Sequence, residues 1–231
     1  MGDERHVFDE LQRVQLPALF EMYGVNCVLD VGAHEGEYTR RLRAGGYRGR
    51  IVSFEPVPRA FAELERGAAD DAEWHVRQTA LGRNDGTMTM NAVPGTLSSL
   101  REPTKFGARR YKRLRDPDPV DVEVRRLDGM LDELLHGLEH PRPYLKLDTQ
   151  GFDLDVFAGA GDRIAEFVGM QSELALMQIY EGMPRLPEAL GVFEGAGFDV
   201  AAMYPVSRQG KTGRVLEFDC VMVRGSLLKL D

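Results

Sequence analysis

The stretch Val28–Leu42, VLDVGAHEGEYTRRL, restricts the fold more than any other part of the chain. A short apolar run ends in Asp30, a turn carries Gly32 and Gly36, and a helix-like segment from Tyr38 to Ala44 follows. That is a strand entering a helix through a glycine turn, the first half of a βαβ unit. The pattern recurs. Ile51–Phe54 leads through Glu55-Pro56 into Arg59–Arg66, and the apolar Tyr144–Leu147 leads through Asp148 into Leu154–Ala158. Such alternation predicts an α/β fold with a mostly parallel sheet and helices on both faces. Two last strands, Phe198–Tyr204 and Val215–Val223, are joined by PVSRQGKTGR with no crossover helix, so an antiparallel hairpin closes the sheet.

Two segments stand outside this rhythm. Residues 1–24 read as a helical cap in which Pro17 separates two short helices, and residues 25–231 as one domain. Within that domain, residues 93–119 read as an insertion between the strands Gly86–Ala92 and Val120–Val124. It carries Arg101, Lys105, Arg109, Arg110, Lys112, Arg113 and Arg115 against the single acid Glu102 before DPDP. The insertion is either a solvated loop or a lid that recruits an anionic acceptor.

Bulk charge narrows the partners. The 29 Lys and Arg are outnumbered by 37 Asp and Glu, a net charge of -8, so no general attraction to nucleic acid or anionic membrane is expected. No apolar run approaches the roughly 18 residues of a spanning helix. Cys27 and Cys220 lie inside apolar runs, and no signal-peptide layout opens the chain; both suggest reduced thiols in a cytoplasmic protein. Oligomeric state is left open, a homo-oligomer included.

The glycine turn departs from the dinucleotide fingerprint, because Ala33-His34 replaces the middle glycine that lets backbone approach a pyrophosphate. Glu35 and Glu37 in the first helical turn would repel a pyrophosphate but suit a ligand with cationic groups, such as a sulfonium with an amino-acid tail. Asp30 is placed to hold loop amides or, through water, an ammonium. Glu55, at the tip of the second strand, is placed to accept from a ribose diol, a feature shared by nicotinamide and adenosyl-sulfonium sites. Asp148 and Glu173 are expected at adjacent strand ends, where two carboxylates share a divalent cation such as Mg2+ or orient a hydroxyl. Asp148 and His34 are the candidate bases.

The ordered set VLDVGAHEGEYT, FEPVP, ALGRNDGTMTM, LSSL, RRLDGML, YLKLDTQGFDLDVFAGA and EFDCVMVR resembles the FkbM family of S-adenosylmethionine-dependent methyltransferases, from about Val25 to Arg224. The resemblance implies a class I Rossmann-like fold, a seven-stranded sheet with its last strand antiparallel. It implies O-methylation of a small-molecule hydroxyl acceptor: a sugar, glycolipid, polysaccharide or polyketide-type natural product. Carried over by motif, Asp30, Gly32, Ala33, His34 and Gly36 form the cofactor loop, Tyr38 and Thr39 flank the methionine tail, and Glu55-Pro56 meets the ribose. Ala80 and Leu81 flank the adenine, and Asp148 lies beneath the transferring methyl. His34 stands where the family more often has asparagine. The competing readings are a nicotinamide-dependent oxidoreductase, disfavoured by the missing glycine, and a nonenzymatic adenosyl-cofactor-binding domain, which would not need Asp148.

Overall fold

The structure, a computed structural model, describes residues 14–227. A seven-stranded sheet is built from β1 (Cys27–Val31), β2 (Arg50–Phe54), β3 (Trp74–Arg77), β7 (Pro143–Leu147), β8 (Gly169–Ala175), β9 (Phe198–Arg208) and β10 (Val215–Arg224). Their order is β3-β2-β1-β7-β8-β10-β9. Neighbours are parallel from β3 to β8, and β10 runs antiparallel to both β8 and β9. The chain works outward from β1 to β3, then restarts at β7 on the other side. That reversal opens a crevice at the carboxyl ends of β1 and β7, where open α/β sheets take their ligands.

The central strands are apolar on both sides because helices cover both. On one face Leu29, Val52, Leu145 and Met170 pack with α5 (Leu131–Leu135), α6 (Asp153–Gly159) and α7 (Leu186–Gly195). On the other, Val28, Ile51 and Tyr144 pack with a helix α1 spanning residues 14–23, α2 (Glu37–Ala44) and α3 (Pro58–Ala68). Cys27 and Cys220 are free and buried, and burial pushes both thiols up to about 12.

Three expectations need correction. Residues 14–23 form one helix through Pro17, not a helix break there. Pro17 falls in the first turn of the described helix, where a proline is tolerated; the earlier of the two expected helices lies outside the described residues. The stretch Trp74–Ala80, whose pattern alone reads as one strand, is two: it breaks at Gln78-Thr79, and β4 (Ala80–Leu81) joins β5 (Gly86–Ala92) and β6 (Asp118–Arg125) in a separate three-stranded sheet ordered β4-β6-β5. The segment after β5 is folded, not loose. Thr104 caps α4 (Lys105–Arg110) by accepting from the Gly107 amide at 3.0 Å. Val93, Leu97 and Leu114 bury themselves with Ile179, Tyr180 and Met183, which belong to the connection from β8 to α7. Insertion and connection together make a roof over the crevice.

Candidate active site

A cavity of about 660 Å³ lies in the crevice, walled by the β1 turn, the ends of β2 and β7, and the second sheet. Beneath it, Asp30 is fully buried. Strand register sets Asp30 between Lys146 on β7 and Ser53 on β2. Its Oδ1 lies 3.0 Å from Lys146 Nζ, and its Oδ2 accepts from Ser53 Oγ at 3.3 Å and Thr39 Oγ1 at 3.4 Å. A buried carboxylate requires partners of this kind. Asp30 and Thr39 therefore sit under the cavity without lining it. The ammonium that Asp30 meets in the structure is that of Lys146. Desolvation opposes charge on Lys146, but Asp30 and Asp148 outweigh it and hold the ammonium above the ordinary lysine range.

The two turn glycines are required by the protein itself. Gly32 has φ +78°, and a Cβ there would stand 2.0 Å from the Asp148 carbonyl oxygen. Gly36, at φ +90°, would drive a Cβ to 2.7 Å from the Trp74 ring, and it does not line the cavity. Both glycines permit close packing of the loop on β7 and β3, and Gly32 also lines the cavity.

Glu55, buried at the tip of β2, accepts from the His34 amide at 2.9 Å and the Val57 amide at 2.8 Å, one on each oxygen. Burial pushes its carboxyl above the usual range, and these two amides pull back. Each oxygen keeps a second acceptor direction, and the side chain lines the cavity. His34 holds φ +50°, in the left-handed region where histidine and asparagine are both over-represented. Its Nδ1 lies 3.6 Å from Glu37 Oε2, beside the cavity. Ala33, Tyr38, Pro56, Ala80 and Leu81 also line the cavity.

Asp148 ends β7 at the cavity with 39% of its side chain exposed. Its Oδ1 accepts from the Gln150 side-chain amide at 3.0 Å, and its Oδ2 is 3.7 Å from Lys146 Nζ. The same Gln150 nitrogen donates to Glu173 Oε2 at 3.1 Å. An amide group thus fills the place between Asp148 and Glu173 in which the sequence reading set a divalent ion, and Glu173 does not line the cavity. Desolvation, with Glu217, Asp148, Asp219 and Asp153 nearby, pushes the Glu173 carboxyl well above its usual range. Lys146 and Asp219, both at the cavity, are passed over by the sequence reading. For Lys146 the signal is present in the sequence: a lone charge inside an apolar strand needs an opposite charge or acceptor on the next strand.

None of the basic side chains from Arg101 to Arg115 lines the cavity. Arg101 instead donates to the Gly151 carbonyl at 2.8 Å and to Asp155 at 2.7 Å, tying the roof to the turn after β7. Arg110 lies over the Tyr111 ring, and Arg115 donates to the Ala108 carbonyl at 2.7 Å. The lining charges are Glu35, Glu37, Glu55, Asp118, Asp148 and Asp219 against Arg41, Arg59 and Lys146. A sulfonium cofactor with an adenosine group fits this set: an acidic wall suits the cation, a carboxylate at the tip of β2 can accept from a diol, and apolar residues lie beyond it.

This sheet order, with a glycine turn at the switch point and a carboxylate ending the next strand, belongs to the Rossmann-like S-adenosylmethionine-dependent methyltransferases. Within that class, residues 30–200 match the model of the methyltransferase FkbM domain, and the chain belongs to that family. The 2-O-methyltransferase NoeI of Sinorhizobium fredii (strain NBRC 101917 / NGR234) is 26% identical over 191 residues, which cover 79% of this chain and 76% of NoeI. Methyltransferase 1 of Beauveria bassiana (strain ARSEF 2860) is 24% identical over 195 residues, 77% of this chain and 74% of that protein. Among solved structures, magnesium protoporphyrin IX methyltransferase (ChlM) from Synechocystis PCC 6803 with bound SAM aligns at 11% identity and a TM-score of 0.49, over 96% of this chain and 82% of that one. No helix among the described residues is long and apolar enough to cross a membrane.

Proposed function

We propose that the chain methylates a hydroxyl oxygen of an uncharged small molecule, a sugar or polyketide-type natural product, with Asp148 as the base. When bound, the cofactor supplies an electrophilic methyl carbon on sulfur; the protein's own task is to align an oxygen with it and take that oxygen's proton. The observation that carries this reading is Asp148, an accessible carboxylate at the switch point whose Oδ1 is fixed by Gln150. Glu55 would bind the ribose diol, and the His34 amide that it accepts couples that contact to the turn. The likeness to a protein named as a 2-O-methyltransferase supports an oxygen acceptor. An uncharged acceptor is supported by the acidic lining and by the basic segment's position outside the cavity. Gln150 makes a cation between Asp148 and Glu173 unnecessary.

The test uses S-adenosylmethionine with a labelled methyl group and paired acceptors, neutral glycosides and polyols beside their phosphorylated forms. Label should enter the neutral members and survive EDTA. Asp148→Asn should lower kcat by about 10²–10⁴, the usual worth of a positioned base, with cofactor Kd changed by less than about threefold. Label entering the phosphorylated forms preferentially, or full activity in Asp148→Asn, would reject the reading.

A further inference from the structure

We infer that the second sheet forms one wall of the adenine slot and that Asp118, at the rim of that wall, recognises the adenine amino group. The inference rests on the reading of Glu55 as the ribose ligand. Along the carboxyl edge of the main sheet, the crevice between β1 and β7 is followed by Glu55 at the end of β2. The next space on that side is bounded by Val57, Thr79, Ala80 and Leu81, all at the cavity. A base attached to a ribose at Glu55 must lie there.

Register then decides which side chains of the second sheet face that space. Met90 pairs with Val120 and Ala92 with Asp118, and all four line the cavity. Alternate residues point away: Asp121 accepts from Thr89 Oγ1 at 2.8 Å on the exposed side. Met90 and Val120 pack in one cluster with Val57, Ala80 and Leu100. The result is an apolar slot, suited to a flat ring, with one carboxylate at its edge. The turn from β3 to β4, Gln78-Thr79, holds no acid. Thr79 Oγ1 already donates toward the carbonyls of Ala80 and Glu123, each at 3.1 Å. Asp118 is therefore the side chain placed to accept from an exocyclic N–H. A carbonyl oxygen in the same place would face the carboxylate with two acceptors and no proton, which is a costly arrangement.

The experiment needs no methyl acceptor. Binding of S-adenosylhomocysteine and S-inosylhomocysteine, in which a ring carbonyl replaces the amino group, is measured by calorimetry on the full chain. The unaltered protein should prefer the adenosine compound by about tenfold or more. Asp118→Ala should bring the preference to within about twofold, chiefly by weakening the adenosine compound, whereas Asp121→Ala should leave it intact. Asp118 is exposed at the start of its strand, so matching melting temperatures will exclude misfolding. A tenfold preference retained in Asp118→Ala, or no preference in the unaltered protein, overturns the inference. Glu55→Ala separates the two readings: it should weaken both compounds by the same factor. If it weakens neither, the ribose assignment fails, and the Asp118 ratio is judged separately.

Discussion

Beneath the cavity, side chains hold side chains: Lys146 meets Asp30, Ser53 and Thr39 share the same carboxylate, and Gln150 joins Asp148 to Glu173. Above it, most side chains hold backbone: Arg101 meets the Gly151 carbonyl, Tyr180 the Leu97 carbonyl, and Thr104 the Ile179 carbonyl, with the Arg101–Asp155 ion pair as an exception. The floor depends on the identity of both partners in each contact, so most substitutions there leave a buried group unmatched. Apart from the Arg101–Asp155 pair, these roof contacts draw on carbonyls that every residue supplies, so they survive sequence change in the residue that accepts. A floor of this kind fixes one cofactor geometry, and a roof of this kind is free to vary with the acceptor.

The sharpest way to break this contrast is Lys146→Met. It leaves Asp30 buried beside Ser53 and Thr39 without a counter-charge, and removing one member of a buried pair costs about 3–5 kcal/mol. Urea unfolding should show that loss, whereas Arg101→Ala, with its partly exposed guanidinium, should lose less than half as much. Equal losses at the two positions would mean that floor and roof are not built differently.

The same contrast explains what was legible in the sequence. Glu55 and Asp148 were readable because each is an acid closing an apolar strand, a local signal. Lys146 lies in the quoted strand YLKLD, yet its meaning depends on standing opposite Asp30, 116 positions earlier, which only the sheet order supplies. The packing need for Gly32 and Gly36 is not local, since the Asp148 carbonyl and the Trp74 ring that exclude a Cβ are distant in the chain. The roof was read as a charge run because its arginines are adjacent in sequence. Its folding rests instead on Val93, Leu97 and Leu114 finding Ile179, Tyr180 and Met183, a pairing with no local periodicity.

A smaller effect sharpens the picture of the floor. Desolvation and the neighbouring acids push the Glu173 carboxyl above its usual range, so the folded chain keeps a proton that the unfolded chain releases above about pH 4.3. Stability from this group is therefore present in acid and is lost as pH rises from there toward the folded value. Glu173→Gln keeps an acceptor for the Gln150 amide and removes the titration. Calorimetry should find a melting temperature higher by roughly 2–4 °C at pH 7–8, the response to about 1 kcal/mol in a domain of this size, and little gain near pH 4. A gain that is the same at both pH values would show that Glu173 is not held protonated by its surroundings.

The smallest effect is expected where the sequence is most strongly charged. Arg109, Arg110 and Arg113 are exposed, and none lines the cavity. Arg110 reaches the Arg208 carbonyl at 3.4 Å and stacks on Tyr111, contacts of the kind whose loss at a surface stays within about 0.5 kcal/mol. Changing all three to glutamine should leave S-adenosylhomocysteine affinity and the KM for neutral and phosphorylated acceptors within about twofold at both low and moderate salt. A lid that draws in anions would behave otherwise, since removing three exposed cations from its field would show most strongly at low ionic strength, where the Debye length is about 30 Å. A salt-dependent loss of more than about fivefold would thus return the basic segment to the binding site, and would place the roof under the same side-chain specificity as the floor.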